Sequence, residues 1–415
     1  MARPVPDPRQ QIVALAVRLA GTKGALAAKL GIDHKTLAHL GGATKLATVR
    51  ALADHLNLPL DVVAERLIGE PREAPNATPV RVEDGYEGAR ELYLRALAEG
   101  RAETARAAAQ HMARLAGGDS RRRAEALSCL SGAVEQQGHY TEAVEHIRAA
   151  KLCDGLGDGL RMRLEVNLAS YLLELWQLSE ARGVARLVQD WYRRHPPRAD
   201  QQYRRVNQAL AEYVAGFARL FEVSLHAERA GELAPRARAE LARSRELHAA
   251  LAADFPEERW YASIALSSEA GVTWAEVECG VRAPAAAIEG IAARLPVDLD
   301  EIAHRGQHLE AFGRWCIVGA QIACAHAGAG ADRAMALFLG KAADIAGRTG
   351  NWSLWERVFT LELFRRSTLA DYDARPERVW QLDRDEQRVL LGLMGRFPHF
   401  RRTAWRVLAA ARIGA

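Results

Sequence analysis

Gly100-Arg101-Ala102-Glu103-Thr104-Ala105, Gly138-His139-Tyr140-Thr141-Glu142-Ala143 and Trp176-Gln177-Leu178-Ser179-Glu180-Ala181 follow one another at intervals of 38 residues. The register persists downstream. Ala109, Ile147 and Ala185 occupy one equivalent position, and Met112, Ala150 and Val188 another. A turn, an apolar anchor and an alanine three residues later suit two antiparallel helices in close contact. The small residue lets the helices approach, and the larger ones fill the groove between them. Further along, residues 228–251 (Ala237, Leu241, Leu247) and 317–345 (Ala327 to Ala334, Phe338) read as more degenerate hairpins. No segment alternates with the period of a strand. The expected fold class is all-α, with a helical repeat array over 82–395.

Residues 10–69 read as a separate compact helical domain. Ile12, Leu15, Ala16 and Leu19 recur at helical spacing before Gly21, and Leu26, Ala27 and Leu30 before Gly31. Asp33 is an N-cap for a third helix over 34–40 that turns Leu37 and Leu40 inward. A fourth helix near 46–57 uses Leu46, Val49, Leu52, Ala53 and Leu56, and a last one follows Leu58-Pro59-Leu60. Residues 70–81 hold Pro71, Pro75 and Pro79 without an apolar stripe, the composition of an extended linker.

Of the 415 residues, 49% are apolar and 26% charged, which is the balance of a folded protein with two units. The bias toward Ala, Leu and Arg favours helix. The net charge is only +4, so its placement matters. Residues 1–70 carry nine Lys/Arg against six Asp/Glu, while the remaining residues are nearly balanced. Cys129, Cys153, Cys279, Cys316 and Cys324 show no metal-type spacing and fit a reducing compartment. Residues 1–9 lack the apolar core of a secretion signal, and no run of about eighteen apolar residues occurs. A cytoplasmic protein without a membrane segment is expected.

The stretch Thr22-Lys23-Gly24-Ala25-Leu26-Ala27-Ala28-Lys29-Leu30-Gly31-Ile32-Asp33-His34-Lys35-Thr36-Leu37 resembles the helix-turn-helix of Cro/repressor-like (Xre-type) regulators. Its continuation from Thr48 to Leu60 is similar to that family's later helices; the central motif alone also looks like the Fis type. The resemblance implies double-stranded DNA as a partner. Thr22, Lys23, Lys35 and Lys45 would contact phosphates, and His34, Lys35, Thr36 and His39 would read bases. The sequence departs from the family in offering no Arg, Gln or Asn on 34–39 for bidentate base contacts. The 38-residue units resemble tetratricopeptide repeats, four residues longer than that family's usual 34. The two halves together look like peptide-sensing regulators, a likeness that implies a homodimer and a peptide or protein ligand against the repeats.

Val166-Asn167 and Val206-Asn207 recur 40 residues apart on expected first helices of repeats. Asn167 and Asn207 there can pair with the backbone of an extended peptide, flanked by Arg163, Tyr171 and Tyr203, with Arg205 nearby for a carboxylate. Ordinary surface polarity is the competing account. His304 and His308 have metal-ligand spacing beside Asp298, Asp300 and Glu301, but Gly306 interrupts the helix and no metal is expected. The tail over 396–415 carries Arg396, Arg401, Arg402, Arg406 and Arg412 with no acid, and reads as a helix capping the array or as a contact for an acidic partner. Phosphate loops, nucleophile elbows and dinucleotide fingerprints are missing, so neither catalysis nor a cofactor is expected. Two functions remain open. One is a DNA-binding regulator with a ligand-binding array. The other is a scaffold or adaptor, in defence or signalling, whose head no longer binds DNA.

Overall fold

A computed structural model of the chain describes residues 8–40, 44–56, 63–64, 67, 85–295, 307–326, 330–372, 380–382 and 384–413. The described residues are helical almost throughout. The exception is a short parallel pair in which β1 (Trp380–Leu382) aligns with β2 (Ala411–Ile413), a pairing that strand periodicity over three residues cannot announce. The chain divides into two units, 1–77 with 379–415, and 78–378.

The first unit is built on α1 (Pro8–Ala20), α2 (Lys23–Leu30) and α3 (Leu46–Leu56). Gly21 and Gly31 end α1 and α2 in left-handed conformations, at φ 84° and 63°, which glycine adopts without a Cβ penalty. Ile12, Ala16, Leu26, Ala27, Leu30, Val49, Leu52, Ala53 and Leu56 form the core with Val63, Ala64 and Leu67. Leu19, expected on the inner face of α1, is 58% exposed, one residue too far around from Ala16. The expected helix over 34–40 is a single 3-10 turn, Thr36–His39. One carboxylate oxygen of Asp33 accepts from the Lys35 amide at 2.7 Å, a local turn that competes with helix in a segment too short to repay nucleation. The linker over 70–81 lies outside the described residues.

The arginine-rich tail does not cap the array. It belongs to the first unit as α17 (Arg384–Arg396), a 3-10 turn and α18 (Arg401–Ala410). Leu390, Leu393, Met394, Phe397, Phe400 and Ala404 are buried, and Leu391 packs on the N-terminal core. The apolar side of the tail meets the head, a pairing across more than 300 residues that charge patterning cannot reveal.

The second unit is a succession of antiparallel helices, each packed on the next: α4 (Tyr86–Ala98), α5 (Ala102–Leu115), α6 (Ser120–Gln136), α7 (Tyr140–Lys151), α8 (Asp158–Glu174), α9 (Leu178–Arg194), α10 (Gln202–Leu225), α11 (Ala230–Asp254) and α12 (Trp260–Glu278). α13 (Pro284–Arg294), α14 (Gln307–Ala325), α15 (Ala331–Thr349) and α16 (Trp352–Tyr372) follow. Segment 317–345 spans the α14–α15 hairpin, whereas 228–251 is one arm of a longer hairpin with α10.

The 38-residue register is visible in backbone geometry. Gly100, Gly138 and Trp176 all sit left-handed, at φ 69°, 75° and 58°. In each turn the next amide reaches back five residues to the preceding helix: Arg101 to Ala96, His139 to Val134 and Gln177 to Leu172, at 2.8, 3.0 and 2.9 Å. These bonds satisfy carbonyls that a helix end otherwise leaves open. Ala105, Ala143 and Ala181 have no exposed surface, nor do Ala109, Ile147, Ala185, Met112, Ala150 and Val188. Replacing Ala143 with leucine overpacks this helix contact. The expected loss is about 1–3 kcal/mol in urea or thermal unfolding, whereas a similar change at exposed Leu187 leaves the midpoint unmoved.

Candidate functional site

On the first unit, the residues assigned to DNA share one property: His34, Lys35, Thr36, His39 and Lys45 are exposed, as are Thr22 and Lys23. Thr22 caps α2, its hydroxyl oxygen accepting from the Ala25 amide at 3.1 Å. Leu37 and Leu40 anchor the 3-10 turn in the core. With three residues per turn, Thr36 and His39 lie on one side. The surface offered is therefore one turn wide, with a single lysine on the turn's leading edge.

In the second unit the five partner-binding candidates separate. Arg163 and Asn167 are half-buried on α8, and neither shows an ion pair or side-chain hydrogen bond among the described residues. Tyr203 is 67% exposed at the start of α10. Tyr171 is instead buried, its hydroxyl 3.3 Å from that of Ser131. Asn207 is 4% exposed and its amide donates to the Tyr192 hydroxyl at 3.3 Å. It fastens α10 to α9 and is no surface residue. The two asparagines are 40 residues apart in a stack that repeats every 38. The two extra residues amount to about 200° of helical rotation, which takes Asn207 off the face that Asn167 occupies. Arg205 is committed to Asp254 at 2.6 Å. The Asp298–His308 candidate lies outside the described side chains.

Composition and motif gave no sign of the most distinctive polar cluster in this unit. Glu174, at the end of α8, takes Arg314 of α14 at 3.3 Å and Arg357 of α16 at 3.2 Å. Arg357 is 1% exposed and pairs also with its neighbour Glu356. Its guanidinium lies 4.6 Å over the Trp176 ring and 5.0 Å over Phe221. The Trp176 indole N–H donates to Glu356 at 3.1 Å. Glu310 accepts from the Asn351 amide at 3.1 Å. Glu135, half-buried at the end of α6, has no hydrogen-bond or ion-pair partner among the described residues.

Four carboxyls thus share two guanidiniums, and the electrostatics follow. Burial, then the charges of Glu310 and Glu174, push the Glu135 carboxyl up to about 8. Burial also raises Glu310, against the opposing Asn351 hydrogen bond and Arg314 charge. Arg314 is held protonated by the Tyr213 and Glu174 side chains despite burial. Burial likewise raises the Tyr140 and Tyr213 phenols. One local signal was available: a tryptophan occupies the glycine position of the third turn. The partners of that tryptophan, about 180 residues downstream, had none.

No group of three or more His, Cys, Asp or Glu suited to a metal ion occurs among the described residues. None of the described helices is long and apolar enough to cross a membrane.

The state of Glu135 makes a pH prediction. Its folded value lies above the ordinary carboxyl value near 4.5, so the folded state binds the proton more tightly than the unfolded chain. Stability is full at low pH with respect to this group and declines as pH rises from about 4.5 to about 8. Glu135→Gln removes the ionisation. Urea unfolding from pH 5 to 9 should show the variant matching the parent at the acid end and exceeding it at pH 9. Parallel curves across that range would place Glu135 in ordinary solvent. No protein-family model and no curated protein matches this chain.

Proposed function

We propose that the protein is a cytoplasmic DNA-binding regulator of transcription. In this reading a helix-turn-helix head of the repressor-like type is joined to a tetratricopeptide-like array that binds a peptide or protein segment, and the protein acts as a homodimer. The observation that carries the reading is the sorting of residues 22–45. Leu26, Ala27, Leu30, Leu37 and Leu40 make core, while Thr22, Lys23, His34, Lys35, Thr36, His39 and Lys45 all stay at the surface. A module kept only for packing has no need to hold that polar set outside. The array adds a reason for a ligand. Arg163 and Asn167 are half-buried polar groups without partners among the described residues, and partial desolvation of such groups is costly unless something pairs with them.

Chain connectivity supports coupling between ligand and DNA. The array is inserted between two parts of one unit, so both of its ends lead into the residues that carry the head. A ligand that favours one end-to-end spacing of the array therefore acts on the head from two attachment points. The adaptor reading keeps one specific observation, the reduction of the base-reading segment to a single 3-10 turn. With one lysine there, each head makes few contacts, and useful affinity requires two heads on adjacent half-sites.

Selection from a random duplex library at low salt decides between the two. A regulator enriches a two-fold symmetric sequence, with affinity falling steeply as salt rises. Lys35→Ala should weaken binding and lower the slope of log affinity against log salt by about 1. Failure of the full chain to enrich any sequence overturns the regulator and leaves the adaptor.

A further inference from the structure

From Met162 to Glu174 every residue of α8 is buried except four: Arg163, Asn167, Ser170 and Glu174. Spaced four, three and four apart, they form a single line along the helix. Ser170 satisfies itself on the Val166 carbonyl at 3.0 Å. The line has opposite charge at its two ends. At the start stands Arg163, without an ion-pair partner among the described residues. The nearby Glu125 is taken by Arg90 at 2.9 Å. At the end lie Glu174, Glu135 and Glu310. The charge of Glu174 is met by Arg314 and Arg357, whereas Glu310 has an amide and Glu135 nothing. The end is therefore acidic on balance. Eleven residues of helix separate the two ends, about 16 Å. An extended chain covers that distance in about five residues.

We propose that this line receives an extended peptide segment in one direction only, with a carboxylate on Arg163, backbone groups on Asn167, and an ammonium or guanidinium at Glu135 and Glu310. The inference rests on the peptide-binding reading of the array and adds to it the ligand's polarity and span. The charge pattern excludes the reverse orientation, which would set cation on cation and anion on anions. The two charged groups of the ligand can be the chain termini or acidic and basic side chains about five residues apart, since the recognising chemistry is the same.

The test uses the full-length protein and randomised pentapeptides, scored by affinity selection and mass spectrometry. One set has free termini and is compared with N-acetylated and C-amidated forms. A second has both termini blocked and carries Asp at one end and Lys at the other, in both orders. If the termini are read, blocking either one should reduce retention about tenfold; if side chains are read, one order of Asp and Lys should be retained over the other. Arg163→Met should erase the dependence on the anionic group alone, and Glu135→Gln the dependence on the cationic group alone. The comparison of peptide forms on the unmodified protein stands even if a variant does not fold. Peptides retained equally whatever their charges would overturn the polarity and leave peptide binding intact. Retention of no peptide in any form would overturn both.

Discussion

The Arg357 guanidinium, enclosed between Glu174, Glu356 and the faces of Trp176 and Phe221, joins parts of the second unit that are about 180 residues apart. Removing such a group from water costs several kcal/mol, and the cost is offset only by good geometry and satisfied hydrogen bonds. Here two carboxylates meet it and two aromatic rings cover it, although its Nε finds no acceptor among the described residues. An arginine suits the position better than a lysine, because its plane stacks on rings while its edge serves carboxylates. With either carboxylate gone, a buried charge would be left short of a counterion, so the cluster holds α8 and α16 in one arrangement.

Trp176 shows how the repeat was adapted to this junction. The first two turns place glycine in the left-handed conformation, and the second has a further reason. A Cβ on Gly138 would lie 2.5 Å from that of Trp352. The third turn accepts a tryptophan there, at a steric cost of about 1–2 kcal/mol. Its ring and indole N–H reach Arg357, Phe221 and Glu356, and these contacts offset the strain. Backbone strain of this kind is retained where the surrounding structure holds it in place. The same junction crowds Glu135, Glu174 and Glu310 together, so the acidic character at the end of α8 follows from the way the later helices are fastened.

The head follows a different economy. Its core is small and aliphatic, and the tail from 384 adds Leu391 at its edge and a buried set of its own. A domain of about 60 residues buries little surface alone, so a contribution from the far end of the chain is of physical value. The arginines of the tail are then the outer side of an apolar contact with the head, which accounts for them without a capping role.

Local sequence determined the helices and their turns. Gly21, Gly31, Gly100 and Gly138 mark left-handed ends, and Ala105, Ala143 and Ala181 mark close crossings, because backbone sterics and side-chain volume act over a few residues. Arg163 and Asn167 were legible as candidates for the same reason, lying four apart on one helix face. Asn207 and Tyr171 were not, since their exposure depends on how far one hairpin is rotated against the next, and two residues reverse it. Residues 34–40 have helix-like composition, but an Asp33 turn prevailed over one turn of helix. Only the tertiary structure decided that Arg357 meets Glu174, that Glu135 has no partner among the described residues, and that the tail joins the head. Those outcomes depend on which distant surfaces become neighbours. Charges on separate helices carry no record of that pairing until the packing of the apolar faces brings them together.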